Sequence, residues 1–203
     1  MTREELLQDV AYARTLAEEG RQAPLVGGAY LVLFGVLLAI CYTAQYFALT
    51  GAMEREQIGW IWMGFGACAL IGSFALRGRT KGMPGTSSIA NRADRSVWNG
   101  VAWAIGFVVA GTLARTIIYD DYDSANAIMA AGFALYGVAL YSTAEVSGRM
   151  WLRAFAWLAF SVSGTLWFFM HEPWAYLTAA AGSVLVLLIP GIILMRGEAS
   201  KVV

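Results

Sequence analysis

Charge is scarce in this chain. Only 14% of its 203 residues are Asp, Glu, Lys or Arg, against about 25% in an ordinary soluble domain. Histidine is limited to His171, which excludes bis-histidine haem ligation and a multi-histidine metal centre. The two cysteines, Cys41 and Cys68, fall inside apolar runs with no C-x-x-C or Cys/His spacing. They read as small packing residues, and no metal or other cofactor is expected. No lysine lies inside an apolar run, which removes a Schiff-base chromophore. G-x-S-x-G, H-E-x-x-H and P-loop patterns are absent. No Asp or Glu stands in mid-run, whereas a proton-coupled carrier usually needs one there and an enzyme needs acid–base groups. A non-enzymatic protein is expected. Net charge is zero, so no general pull toward nucleic acid exists and no direct nucleic-acid binding is expected.

Apolar residues are abundant instead: 59% of the chain, with a mean hydropathy of +0.59. They gather into six runs, at about 25–48, 58–77, 97–118, 125–145, 150–171 and 174–195. A helix of about 20 apolar residues crosses the roughly 30 Å hydrocarbon core of a bilayer. The gaps carry breakers or charge, such as "TGAMEREQ", "YDDYDS", "VSGRM" and "HEP". The fold class expected is therefore all-α: a polytopic bundle of six transmembrane helices over residues 23–197, preceded by a cytoplasmic amphipathic helix at 1–22.

Orientation follows from the cations. Twelve of the 14 Lys and Arg residues fall at the N-terminus, in the second and fourth gaps and at the C-terminus; the other two are Arg55 and Arg115. Positive charge stays inside, so both termini are expected in the cytoplasm of a bacterial inner membrane. The other side is acidic, with Glu54, Glu56, Asp120, Asp121, Asp123 and Glu172. Trp60, Trp62, Trp167 and Trp174 fall at outer run ends, Trp98 and Trp151 at inner ones, where amphipathic rings prefer the headgroup level.

The leading segment is too long and too acidic for a signal peptide. Thr2 and Glu5 form a capping box, T-x-x-E. Leu6, Val10, Ala13 and Ala17 share one helical stripe. A helix lying on the anionic inner leaflet needs a basic face and bulky anchors; this one has more acids than arginines and small alanines. Two readings remain: docking on its own protein, or helix-in-groove contact with a protein partner. The basic gap at 78–96, rich in Gly, Ser and Thr, reads as a flexible loop. Its Arg79, Lys81, Arg92 and Arg95, with the helix stripe, form the candidate partner-binding set.

Small residues recur at i+4 within three runs: Gly64, Cys68 and Gly72; Ala102, Gly106, Ala110 and Ala114; Ala175, Ala179 and Ser183. Such stripes let helices approach in lipid. Packing within the chain is the first reading, and a homodimer face the second. Pro190 inside the last run predicts a bend.

Arg115 stands inside a run, about one turn from its outer end. It reads either as a residue that snorkels toward Asp120 and Asp121 or as part of an outward-facing ligand pocket. Predicted depth places Tyr42, Tyr46, Arg115, Tyr119, Asp121, Trp167 and His171 in the same layer, a candidate aromatic-walled site.

The run "LAEEGRQAPLVGG", Leu16 to Gly28, resembles a segment near the start of small, uncharacterised six-helix inner-membrane proteins of alphaproteobacterial type. What the resemblance implies is a helical membrane protein that partners a DNA-binding regulator. The leading functional expectation is a membrane regulator that holds a cytosolic protein through its N-terminal helix and basic loop. A small-solute transporter or channel and a membrane assembly subunit are the alternatives.

Overall fold

A computed structural model describes residues 24–81, 83 and 85–197, together with Gln8 and Tyr12. The expected helix at 1–22, and with it Leu6, Val10, Ala13 and Ala17, lies outside the described residues. The rest is helical: α1 (Gly28–Leu49), α2 (Gln57–Thr80), α3 (Ile89–Tyr119), a 3-10 turn (Asp123–Asn126), α4 (Ala127–Ser147) and α5 (Leu152–Phe168). The last, α6 (Ala175–Arg196), is continuous through a π-helical turn. Among the described residues there is no strand.

Local chemistry sets the ends. Arg77 and Arg79 sit in the last turn of α2, where cations complement the helix dipole. Ser88 caps α3, its Oγ accepting from the Asn91 amide at 3.2 Å. Asp120 (φ 52°) and Gly148 (φ 70°) stop α3 and α4 in the left-handed conformation. The cap at Ser88 starts α3 eight residues earlier than hydropathy places the run. The flexible loop expected at 78–96 is therefore mostly helix, and only residues 81–88 connect α2 to α3. Hydropathy misses these two turns because their exposed residues include Arg92 and Arg95.

Five of these segments are long and apolar enough to cross a membrane: α1, α2, α3, α4 with its preceding turn, and α6. α5 is apolar but has 17 residues, about 25 Å of helix.

The helices pack in the order α2–α1–α6–α5–α4–α3. The first helix is thus interior to the bundle, and the consecutive helices α2 and α3 lie at its two edges. The core sits between α1, α4, α5 and α6, around Leu38, Tyr42, Met129, Phe133, Leu140, Leu166 and Val186. Glycine permits the closest approach. A Cβ on Gly35 would stand 2.6 Å from the Leu188 nitrogen, and one on Gly191 2.8 Å from the Val32 nitrogen. α1 and α6 thus touch backbone to backbone.

Pro190, fully buried, follows a π-helical turn at Val184–Leu188. Proline cannot donate to the preceding turn and its ring crowds it; one wider turn absorbs both effects. The irregularity expected at Pro190 thus lies one turn earlier.

Of the three small-residue stripes, only the one on α6 packs inside the chain: Ala175, Ala179 and Ser183 are fully buried. Gly72 rests against Leu33, but Gly64 and Gly106 have nothing within 4 Å of an added Cβ. The stripe from Ala102 to Ala114 is exposed along its length.

Candidate functional site

The two ends of the bundle differ in chemistry. At the end holding the connection 81–88, a buried polar node joins three segments. Asn91 on α3 binds the extended residues ahead of α1: its Oδ1 accepts from the Val26 amide at 2.9 Å, and its Nδ2 donates to the Pro24 carbonyl at 2.8 Å. The same Nδ2 reaches the Gly85 carbonyl at 3.0 Å. One side-chain amide therefore pairs with a backbone strand as another strand would, and ties the connection to it.

One turn later Asp94 is 8% exposed. Its Oδ1 accepts from the Thr143 hydroxyl of α4 at 2.5 Å, the Trp98 indole supports it, and its Oδ2 lies 3.3 Å from where Gly27 would carry a Cβ. In α4, Ser147 Oγ donates to the Thr143 carbonyl at 2.6 Å. The node is a structural lock: an acceptor-only carboxylate with matched donors.

The cations read as partner-binding lie at the same end, at the close of α2 and in the first turns of α3. Arg79, Lys81, Arg92 and Arg95 are all exposed, and Arg95 also donates to the Thr86 carbonyl at 3.4 Å. Arg153 pairs with Glu145 and lies 5.5 Å above the Tyr141 ring.

At the acidic end the seven residues read as a ligand layer separate into three places. Tyr42 is buried, with its ring 5.3 Å from Trp62 and 6.3 Å from Tyr176; Tyr46 lies at the edge of that cluster. Arg115 donates through Nε to Asp121 Oδ2 at 2.7 Å, with the guanidine side chain 61% exposed. The guanidinium beside Asp121 holds its carboxyl below the ordinary value of 3.8. Asp121 also accepts at Oδ1 from the Ser124 amide (3.2 Å) and at its carbonyl from Thr116 Oγ1 (3.1 Å). Arg115 thus takes the snorkelling geometry and staples the α3–α4 turn. Tyr119, Trp167 and His171 are exposed. α3 packs on α4 rather than on α1, which keeps Arg115 and Tyr119 away from Tyr42.

The residues that do converge at this end include two that hydropathy treats as incidental. Gln45, buried within α1, accepts from Trp62 Nε1 at 2.7 Å, and Asn126 accepts from the Tyr176 hydroxyl at 2.6 Å. At the basic end the missed residues are Asn91 and Asp94. The signal was N-x-x-D-x-x-x-W, Asn91 to Trp98, which lines one helical face once the segment is read as helix. No family model, curated protein or solved structure matches this chain.

Proposed function

We propose that this chain is a non-enzymatic integral membrane regulator. It crosses a bacterial inner membrane six times with both termini in the cytoplasm. At its basic end it holds a cytosolic protein, a DNA-binding transcription regulator, through the N-terminal helix and the basic segment 78–96.

The observation that carries this reading is the Asn91 clamp on Pro24 and Val26. The helix expected at 1–22 leads directly into those residues. Arg79, Lys81, Arg92 and Arg95 flank the connection that Asn91 also holds, at the end of α2 and the start of α3, which supports a partner-binding face at this end. The orientation is supported by charge: apart from Arg55 and Arg115, every described Lys and Arg belongs to this end. Six spans are supported by α5, whose apolar length of about 25 Å falls short by an amount that local bilayer thinning accommodates.

The test is recovery of partners from native membranes with the intact chain, with residues 2–20 deleted, and with R79Q, K81Q, R92Q and R95Q combined. One cytosolic protein should be recovered with the intact chain and lost with both variants. Identical recovery with all three, or none with any, refutes the reading.

A further inference from the structure

We propose that the flank of α1 between α2 and α6 is a binding site for one anionic phospholipid. This inference rests on the membrane-spanning reading but not on partner binding. A shallow groove of about 350 Å³ runs there at the basic end, lined by Val32 and Leu33 of α1, Gly72, Ala75 and Arg79 of α2, and Met195 of α6. Gly72, Ala75 and Arg79 follow at helical spacing along one face of α2. The apolar channel therefore ends, one turn beyond Ala75, at a guanidinium. That is the order of parts in a phospholipid: hydrocarbon first, then phosphate.

Charge complementarity selects the headgroup. No acidic residue lines the groove among the described residues, and Arg196 follows Met195 at the same end. A guanidinium fork suits phosphate oxygens bidentately, and basic recesses between membrane helices on the cytoplasmic side are suited to anionic headgroups. The shape of the groove has a backbone cause. Gly72 carries no side chain, so Leu33 leans against α2, with its Cδ2 2.7 Å from where a Cβ would stand.

A second groove of about 430 Å³ lies farther along α1 at the acidic end, lined by Ile40, Thr43, Phe47 and Met53. Leu33, Ile40, Thr43 and Phe47 lie along one flank of α1 at helical spacings. This recess has no cation in its lining. It accepts an acyl chain without choosing a headgroup, and so serves as an internal comparison.

The experiment is native mass spectrometry of the full chain released from nanodiscs containing equal phosphatidylglycerol and phosphatidylcholine. One phosphatidylglycerol should be retained in preference. R79Q should lower that preference roughly fivefold, the loss of one cation at an anionic headgroup, while R79K retains part of it. A75W, which fills the groove, should abolish retention, and R92Q, at the same end but outside the groove, should leave it unchanged. Equal losses for R79Q and R92Q, or no preference in the intact chain, overturn the proposal. So does higher lipid occupancy after deletion of residues 2–20, which makes the N-terminus the occupant. A dimer mass that A75W removes makes the occupant a second copy and also overturns it. Because no partner is present in this measurement, its failure leaves the partner-recovery result standing, and the reverse.

Discussion

The Thr143 hydroxyl donates to the buried Asp94 carboxylate across the α3–α4 interface at 2.5 Å. α3 is held to the bundle mainly by α4, so this bond fixes an edge helix near its start. Replacing Thr143 by valine leaves an acceptor-only group buried without its donor. Thermal melts in detergent should show a loss of about 2 kcal/mol, the scale of a hydrogen bond to a charged group.

Asn91→Ala should release the residues ahead of α1. The Val26 amide then has no acceptor from Asn91, and its hydrogen exchange should accelerate by at least tenfold, the effect of losing roughly 1.4 kcal/mol of local protection. Amides in the middle of α4 should exchange as before.

Glycines of one chain should respond in opposite directions. Gly35→Ala drives a methyl against the Leu188 backbone, which cannot withdraw without parting α1 from α6; a loss of about 1–3 kcal/mol is expected. Gly106→Ala meets nothing within 4 Å and should gain up to about 1 kcal/mol from helix propensity. Paired melts of the two variants check the contrast.

Arg115→Gln should return the Asp121 carboxyl toward its ordinary range, because the Arg115 hydrogen bond is the largest cause of its lowering. The carboxylate contributes to stability above pH 3.8, a contribution lost as pH falls through its lowered value; with the Arg115 side chain largely in solvent this effect is small. Carbon NMR of the Asp121 side chain, followed through acid, gives the direct reading. An unmoved midpoint contradicts the ion pair.

Much of the secondary structure was legible because burial in lipid demands long apolar helices. Each apolar run is a helix, and five of the six begin within three residues of the run. The exception, α3, has a first two turns that read as loop by hydropathy. Its stabilisation comes from the Ser88 cap and from Asn91 and Asp94, whose partners lie about 50 residues or more away along the chain. The candidate outer site shows the opposite limit. The expected layer groups Tyr42, Arg115 and His171 by depth along the bundle alone, and depth is one coordinate. Position around the bundle depends on which helices are neighbours, and Arg115 and Tyr42 lie on helices that are not packed together.

By itself the sequence determined the helical class, the run lengths and the segregation of basic from acidic ends, because each of these is set by the chain's local hydropathy and charge. Only the tertiary structure decided that α2 and α3 stand at opposite edges, that one small-residue stripe of three packs inside, and that Asp94 is buried. Those outcomes depend on which surfaces meet: Gly35 admits the backbone of α6, while Gly106 meets no atom within 4 Å of an added Cβ. The i+4 spacing of small residues is alike in the stripes of α3 and α6, and the approaching helix alone distinguishes which one is buried.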